Sequence, residues 1–253
     1  MESFEEIQSK KQLLTDEDKQ RLSLQNNRMV SEHKAKLLEI EAKKHWDLFY
    51  KRNETRFFRD RHWTTREFED LLNENSTCTR TLFEVGCGVV ACDLSPRAVE
   101  MVKRNPQYNS DCMRAFQCDI TTEDVFNEVE PQTVDIVTLI FVLSAIHPEK
   151  FVVTLRNINK LLKPEGIILF RDYGLYDMAQ LRFKPGHKIA ENFYMRQDGT
   201  RSFYFSTDYV ENMFKDAGFN ILLNSYIYRR TVNKREKVDV PRIFVQAKAQ
   251  KQD

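Results

Sequence analysis

Glycine and carboxylate residues stand where three predicted strands end. Gly86 follows the apolar run TLFEVG, Asp93 ends VVACDLS, and Asp119 ends CMRAFQCDI. Glycine lets a ligand approach the main chain closely. A carboxylate after the second strand can accept hydrogen bonds from both hydroxyls of a ribose, and one after the third can accept from an adenine amino group. Because the carboxyl ends of parallel strands meet at one sheet edge, the pattern predicts a nucleoside-type ligand.

The fourth predicted strand, VDIVTLIFVLSAI, adds apolar side chains that could contact a ring, among them Ile140 and Phe141. Taken singly, each acidic residue is better explained as a turn or helix cap, because Asp commonly serves that role. Three such sites at successive strand ends favour a ligand site instead. The GxG pair of Gly86 and Gly88 alone would fit a dinucleotide enzyme nearly as well.

A second candidate site combines basic and aromatic residues. Arg61 and His62 lie within residues 52–66, where arginines alternate with aromatic rings. This composition suits single-stranded nucleic acid, since the charges meet phosphates and the rings stack on bases. An ordinary amphipathic connector is the commoner explanation of such a segment, and both interpretations stay open.

The elements around these positions alternate between strands and helices. Strand-like runs begin near residue 81, SPRAVEMVKRN has a capped helix start, and the final strands ILLNSYIYRR and RIFVQAKAQ are joined by a charged turn. This order predicts an α/β fold with an open, mostly parallel sheet that helices cover. We expect a charged, flexible N-terminus (1–30), a helical extension (31–75) and the α/β domain itself (76–253).

The composition argues against several classes of protein. The 39 basic and 38 acidic residues leave a formal net charge of only +1, so any nucleic-acid binding must use local patches. Five scattered cysteines without histidines at ligand spacing argue against a disulfide framework or a metal site. The sequence shows no leader pattern and no apolar run of membrane-spanning length. We expect a cytoplasmic protein, with the nucleus as a second location.

The last two strands, linked as a hairpin, are not typical of a dinucleotide-binding domain. Together with LLKPEG before the fifth strand they resemble the class I S-adenosylmethionine methyltransferases, whose Rossmann-like sheet ends in an antiparallel strand. From about residue 30 onward the chain further resembles the methyltransferase-like tRNA 3-methylcytidine enzymes, most closely their cytosolic serine-tRNA branch. The motifs that carry this resemblance are WDLFYKRN, FFRDRHWTTREFE, EVGCGV, ACDLSPRAVE, FQCDIT, LIFVLSAIHP, LKPEG, FRDYGLYD, LRF, ENFYMRQDGTRSFYF and TVNKRE.

The resemblance implies an S-adenosylmethionine-dependent methyltransferase that forms 3-methylcytidine at position 32 of the anticodon loop. Serine tRNAs are the implied substrates, and seryl-tRNA synthetase is the implied partner. Trp46 and Tyr50, which share one face of a predicted helix, would form a lid over the cofactor, although a stripe packed on the core is the alternative. The implied cofactor contacts are Trp46, Tyr50, Gly86, Asp93, Asp119, Ile120 and Ile140.

Methylation of cytosine N3 needs no general base, since that nitrogen keeps its lone pair at neutral pH, but it leaves a positively charged ring. A nearby carboxylate would stabilise that charge as it develops. Asp172, in FRDYG, is the candidate catalytic residue, and a turn cap is the equally weighted alternative. We expect RNA contacts of two kinds: aromatic rings that stack on the base or line its pocket, and arginines that bind phosphates. Burial of the rings in the core is the alternative. These residues are Arg61, His62, Tyr173, Phe193, Arg196 and Arg201.

One piece of the pattern is missing. In VGCGVVACDLS only a few residues separate the first two predicted strands. Parallel neighbours in a sheet need a crossover of a dozen or more residues. Relative to the family, roughly fifteen to twenty residues that include the first helix are absent after Val89. We expect that these two strands cannot pair, that stability is marginal and that the cofactor binds weakly.

Three explanations of this gap stay open. The chain could come from a variant transcript or an incomplete gene model of an active enzyme. It could be an inactive adaptor that keeps tRNA or synthetase binding, or an enzyme with a rearranged site. A small-molecule methyltransferase on the same fold is a competing function, because a fold does not fix the substrate.

Overall fold

A seven-stranded sheet organises the protein. The structure is a computed structural model that describes residues 13–54, 63–72, 80–85, 90–233 and 238–252. A smaller sheet of three strands joins the large one. The strands are β1 (Leu82–Val85), β2 (Val90–Asp93), β3 (Arg114–Gln117), β4 (Val134–Ile140), β5 (Leu162–Tyr173), β6 (Lys188–Ala190), β7 (Phe193–Met195), β8 (Arg201–Phe203), β9 (Phe219–Asn233) and β10 (Val238–Lys251).

The large sheet has the order β3-β2-β1-β4-β5-β10-β9. Its first five strands in this order are parallel to their neighbours, whereas β10 runs antiparallel to both β5 and β9. Six of the seven residues of β4 are buried, as expected for a strand covered on both faces of a parallel sheet. The predicted fold class, a mostly parallel α/β sheet with an antiparallel strand at its end, is confirmed.

Helices cover both faces of this sheet. Leu155 and Phe214 contribute to the main core on one face, and Val99 packs with Ala91 and Ala115 on the other. The α-helices are α1 (Asp16–Gln25), α2 (Glu32–Ile40), α3 (Ala42–Asn53), α4 (Thr64–Glu67), α5 (Pro96–Lys103), α6 (Phe151–Leu161), α7 (Met178–Leu181) and α8 (Thr207–Asp216).

The pairing of β1 with β2 corrects one prediction. The two strands pair in parallel, with Phe83 opposite Val90 and Val85 opposite Cys92. Because Val90 lies level with Phe83, the chain has to return by only two residues of strand rise, about 7 Å. The four residues 86–89 are long enough for that return. The expectation that these strands cannot pair was therefore wrong, because so short a return needs fewer residues than the dozen or more of an ordinary parallel crossover.

Residues 63–72 cover part of the sheet face on which α5 lies. Phe68 is buried there with Ile136 and Leu169. The Glu67 carboxylate accepts hydrogen bonds from Arg171 and from Arg229, which fixes this segment to β5 and β9. Residues 63–72 thus cover part of the apolar sheet face on which a helix between β1 and β2 was expected.

The N-terminal residues also differ from their prediction. In the predicted flexible segment 1–30, helix α1 begins with a capping box at Thr15. Gln25 is only 1% exposed, and its side chain donates to the Gln180 carbonyl and accepts from the Tyr194 hydroxyl. Because a buried amide with both ends satisfied fixes its backbone, the described part of this segment is anchored.

None of the helices in the described ranges combines the length and apolarity that crossing a membrane requires. Within the same ranges, no three His, Cys, Asp or Glu side chains come together as metal ligands.

Candidate functional site

A cavity of about 930 Å³ opens at the carboxyl ends of β1 to β4. Its volume is within the range of small-molecule and cofactor sites. Six of the seven predicted cofactor contacts line it, and the seventh, Gly86, lies outside the described residues. The six are Trp46, Tyr50, Asp93, Asp119, Ile120 and Ile140. The sequence prediction therefore brought together side chains that share one cavity.

Asp93, at the end of β2, is the most closely bound carboxylate of this cavity. Its Oδ1 accepts a hydrogen bond of 2.7 Å from the Ser95 amide, and its Oδ2 accepts one of 3.2 Å from the Tyr50 hydroxyl. Burial raises the pKa of Asp93 to about 6, against these two hydrogen bonds, and the nearby Asp47 raises the pKa further. The charged form is thus only moderately favoured at neutral pH.

Helix α3 forms one wall of the cavity. The rings of Trp46 and Phe49 lie 5.2 Å apart, and those of Phe49 and Tyr50 lie 5.6 Å apart. Phe49 and Tyr50 are buried with Ala98 of α5. The Ser95 hydroxyl, at the start of α5, donates to the Asp47 carboxylate. Helix α3 therefore packs on the sheet domain through its aromatic side chains and also lines the cavity.

The loop after β3 forms the opposite wall. Asp119 is half-buried, and its Oδ1 accepts a 2.9 Å hydrogen bond from the Thr121 amide. The buried Asn157 donates to the main-chain carbonyls of Ile120 and Thr122. Because α6 supplies Asn157, a helix on the far face fixes the shape of this loop. No local sequence pattern indicates this role of Asn157.

The end of β4 carries a strained aromatic residue. Phe141 lines the cavity and has a φ of +60°, which is a left-handed conformation that bulky side chains rarely adopt. Its ring lies 5.1 Å from that of Tyr173 and 5.5 Å from that of Phe244. Such strain persists only where the surrounding packing over-determines it. The aromatic contacts supply that packing.

Asp172 does not lie where the catalytic prediction placed it. The side chain is fully buried and is not part of the cavity lining. Its two carboxylate oxygens accept hydrogen bonds from the amides of Ser144 and Tyr173, both at 2.9 Å. Burial raises the pKa of Asp172 to about 6, against these hydrogen bonds. The geometry corresponds to the turn-cap alternative, because Asp172 fixes the loop that carries Phe141 and Ala145 along the cavity.

Two of the predicted RNA contacts are buried, Phe193 in the main core and Arg201 beside the cavity, which corrects their assignment. Phe193 is 0% exposed and belongs to the main core. Arg201 is 5% exposed, pairs with Glu39 of α2 and lies over the Phe193 ring. A buried guanidinium needs a carboxylate partner, so Arg201 joins α2 to the sheet domain instead of meeting a phosphate.

The other predicted RNA contacts have different outcomes. Tyr173 is half-buried at the end of β5, and the guanidinium of Arg196 lies 5.1 Å from its ring centroid. Both therefore belong to one cation–π pair near Asp172, whose pKa Arg196 helps to lower. Arg61 and His62 lie outside the described residues.

A network at the cavity rim was missed by the sequence analysis. The Glu39 carboxylate forms ion pairs with both Lys150 and Arg201, and all three residues line the cavity. These partners hold the pKa of Glu39 below its usual value, although burial opposes them. Glu39 and Arg201 are separated by 162 positions, so no local pattern could have indicated their contact.

Comparison with known proteins decides the family. Residues 17–224 match a family described as "Methyltransferase domain". The human tRNA N(3)-cytidine methyltransferase METTL6 is 50% identical over 254 residues, which cover 93% of this chain and 89% of that protein. The chain belongs to the tRNA N(3)-cytidine methyltransferase family. A fission-yeast member, trm140 of Schizosaccharomyces pombe, is 36% identical over 82% of this chain and 74% of its own length.

Solved structures support the fold of this tRNA N(3)-cytidine methyltransferase family member. A SAM-dependent methyltransferase of Anabaena variabilis superposes with a TM-score of 0.57 at 14% identity, over 83% of this chain and 95% of that chain. The PH0226 protein of Pyrococcus horikoshii gives a TM-score of 0.56 at 14% identity, over 81% of this chain and 99% of that chain.

The relatives carry residues that this family member lacks. The human alignment spans 254 positions but covers 93% of the 253 residues, about 235, so about 19 aligned positions have no counterpart here. The alignment with mouse METTL6 spans 269 positions and covers 99% of this chain, about 250 residues. It too leaves about 19 aligned positions without a counterpart here. This length agrees with the predicted absence of roughly fifteen to twenty residues.

Proposed function

We propose that this protein is an S-adenosylmethionine-dependent methyltransferase that forms 3-methylcytidine at position 32 of the anticodon loop, in serine tRNAs. The single observation that carries the proposal is the convergence of Trp46, Tyr50, Asp93 and Asp119 on one cavity in a chain of this family. Seryl-tRNA synthetase is the proposed partner, and the cytoplasm, with the nucleus, is the proposed location.

The residues around the cavity fit the proposed cofactor. The Asp93 carboxylate keeps lone pairs on both oxygens beyond its two hydrogen bonds, which suits the hydroxyls of a ribose. Asp119 supplies an acceptor for an amino group, and Ile120 and Ile140 supply apolar walls for a ring. When bound, S-adenosylmethionine supplies an electrophilic methyl group on a sulfonium.

The protein's own contribution to the reaction is mainly positioning. The N3 atom of cytosine must leave its pairing or stacking partner before it can approach the methyl group in line. Phe141, held at the cavity by Tyr173 and Phe244, presents an aromatic surface against which such a base can be oriented. Lys43 and Lys150, which also line the cavity, supply positive charge for the tRNA backbone.

The decisive experiment is mass spectrometry of serine tRNA after incubation with the protein and S-adenosylmethionine. In a matched version of the chain, the human relative's additional residues are inserted after Val89, where the sequence pattern predicts the gap. We expect 3-methylcytidine at position 32 with the extended chain and a lower yield with the native chain, because only four residues connect β1 to β2 at the edge of the cavity. Methylation of another nucleoside, or of none by either chain, would contradict the proposal.

A non-enzymatic function has one observation in its favour. Only four residues separate β1 from β2, fewer than an ordinary crossover helix with its connections needs, and the N-terminus of such a helix commonly binds the anionic part of a nucleotide ligand. An adaptor would retain tRNA binding and lose methyl transfer. Binding of serine tRNA that weakens steeply with salt, without product from the native chain and with product from the extended chain, would favour the adaptor.

A further inference from the structure

The turn between β7 and β8 contacts helix α3, which carries the proposed lid. A β-carbon added at Gly199 of this turn would lie 2.3 Å from Nδ1 of His45, so the imidazole ring rests directly on the main chain. Gly199 also has a φ of +83°, a conformation that side chains rarely adopt. Glycine at this position therefore permits both the left-handed turn and the close approach of His45.

Helix α3 makes a different contact on each of three sides. His45 and Arg52 are seven residues apart and share the side that meets the turn. Trp46 and Tyr50 lie roughly a third of a turn further round and line the cavity. Asp47, on the third side, accepts a hydrogen bond at the start of α5. The contacts on either side of the lid residues therefore determine how the helix directs them.

The ring contact fixes α3 more firmly than the neighbouring ion pair does. The Arg52 side chain is 62% exposed and lies 3.5 Å from the Asp198 carboxylate, and exposed pairs of this kind contribute little to stability. The His45 side chain is only 15% exposed and meets main-chain atoms of Gly199. Main-chain atoms cannot rotate away from a contact as a flexible side chain can, so His45 limits the position of α3 on this side.

The turn itself is held by its own hydrogen bonds. The Arg196 amide donates to the Thr200 carbonyl at 2.8 Å, and the Gly199 amide donates to the Arg196 carbonyl at 3.1 Å. The Asp198 carboxylate accepts from the amide and the hydroxyl of Thr200, at 2.9 and 2.6 Å. Thr200 is 2% exposed. The turn is therefore rigid enough to act as a fixed stop for the helix.

Stability alone does not explain a histidine at this position. Nε2 of His45 is buried and has no hydrogen-bond partner among the described residues. The Glu41 carboxylate is 3.7 Å from this nitrogen, which is beyond hydrogen-bond length. A buried polar atom without a partner destabilises a fold. The seat of His45 on Gly199 thus calls for a reason other than stability.

We propose that His45 is a positioning residue of the cofactor site and that the β7–β8 turn is the stop against which it fixes α3. The proposal rests on the proposed function, in which Trp46 and Tyr50 contact S-adenosylmethionine. With its ring seated on Gly199, α3 cannot rotate or shift toward the turn, so both lid residues stay directed at the cavity. His45 does not line the cavity itself and acts only through the orientation of α3.

A double-mutant cycle tests the contact. Gly199→Ala places a β-carbon in the imidazole ring, His45→Ala removes the ring, and the double variant removes the clash. We expect S-adenosylmethionine to bind at least about fivefold more weakly to Gly199→Ala and about threefold more weakly to His45→Ala. The double variant should bind within about twofold of His45→Ala, because the added β-carbon then meets no ring. Isothermal titration calorimetry on the full chain measures all four affinities.

Gly186→Ala is the matched control for backbone strain. Gly186 has a φ of +92°, and its added β-carbon would meet only the exposed side chain of Arg28, at 2.7 Å from Nε. This variant carries the same kind of strain in a loop away from α3. It should therefore lower the Tm like Gly199→Ala and bind S-adenosylmethionine within about twofold of the native chain.

Tryptophan fluorescence reports the position of α3 without any ligand. The chain has two tryptophans, so Trp63→Phe leaves the half-buried Trp46 as the only one. In this background, acrylamide should quench Trp46 more strongly in Gly199→Ala than in Gly186→Ala or the parent chain. The measurement needs neither cofactor nor tRNA, so the positioning role and the proposed function can fail separately.

The positioning role is overturned if the two glycine variants have equal cofactor affinity and equal Trp46 quenching. Additive losses in the double variant would also overturn it, because they would place the effect of Gly199→Ala in the turn itself. Weaker cofactor binding with unchanged Trp46 quenching has the same consequence. If Gly199→Ala does not fold, His45→Ala decides alone, since it adds no strain to the turn. Native affinity and native quenching in that variant would then refute the proposal.

Discussion

The hydroxyl of Tyr50 donates a 3.2 Å hydrogen bond to Oδ2 of Asp93. Tyr50 belongs to the N-terminal helix α3, and Asp93 ends β2, so the bond joins the helical extension to the ligand edge of the sheet. The proposed lid and the proposed ribose acceptor are therefore one unit, and a change in either residue should alter cofactor binding.

Replacing Tyr50 by Phe should weaken S-adenosylmethionine binding by about tenfold, because a hydrogen bond to a charged group is lost while the ring remains. Isothermal titration calorimetry measures the change. Tyr209→Phe, on α8 and 40% exposed, is the matched control and should bind like the native chain. Equal affinities of the two variants would show that the Tyr50 hydroxyl does not support the site.

Cofactor affinity should fall as the pH falls through about 6. The pKa of Asp93 is raised to about 6, so the carboxylate is protonated below that pH and loses its capacity to accept two ribose hydroxyls. The decrease should approach about tenfold per pH unit below 6. Titrations between pH 8 and 5 measure it. Asp93→Asn should bind weakly at every pH, and a native affinity that is flat over this range would contradict the assignment.

The stability of the cofactor-free protein should change in the opposite direction. Asp93 and Asp172 have folded-state pKa values near 6, above their usual value of 3.8. Between these limits the folded state binds more protons than the unfolded state, so the free energy of unfolding rises as the pH falls from 7 to 5. We expect an increase of about 2–3 kcal/mol, because each of the two carboxyls contributes about 1.3 kcal/mol over this range. Urea denaturation at pH 7, 6 and 5 measures it, and a steady decrease over this range would contradict both assignments.

Asp172→Asn separates a positioning role from a catalytic one. If Asp172 fixes the loop at Ser144, its loss should disturb Phe141 and Ala145 and therefore weaken cofactor affinity as well as turnover. We expect about a threefold to tenfold change in each. Calorimetry and tRNA methylation assays measure them, with the solvent-exposed Asp111→Asn as control. Loss of turnover with unchanged cofactor and tRNA affinity would restore the catalytic role.

A residue of this site can be predicted from the sequence when the pattern that marks it spans only a few neighbouring residues. Asp93 and Asp119 were predictable because a strand end followed by a carboxylate is a pattern within a few residues. Phe193 and Arg201 were not, because the strand pattern does not tell which aromatic rings the smaller sheet buries. Arg201 pairs with Glu39, which lies far away in the chain.

The junction between β1 and β2 illustrates the same limit. The missing crossover was visible in the sequence, since only a few residues separate the two strand patterns. The parallel pairing of Phe83 with Val90 was not, because it depends on a register that only the assembled sheet defines. The partial cover from Phe68 was equally invisible, since residues 63–72 read as a basic, aromatic segment and not as a core element.

Replacement of Glu67 should lower the free energy of unfolding more than replacement of any other partly exposed residue in residues 63–72. This segment covers part of the sheet face on which α5 lies. Its carboxylate accepts from Arg171, which is 2% exposed, and from Arg229, so Glu67→Gln removes a negative charge that faces a buried guanidinium. We expect a loss of about 2–3 kcal/mol in the free energy of unfolding. Glu69→Gln, two residues away and exposed, should leave the unfolding transition unchanged.

Chemical denaturation of the two variants at pH 7 provides the comparison. A loss in Glu67→Gln that disappears when Arg171 is also replaced by Met would assign the effect to the uncompensated charge, since an apolar side chain in its place needs no partner. Equal stability of Glu67→Gln and Glu69→Gln would mean that the apolar contacts of Phe68 alone hold residues 63–72 on the sheet. The cover of β4 and β5 would then depend on burial and not on the ion pair.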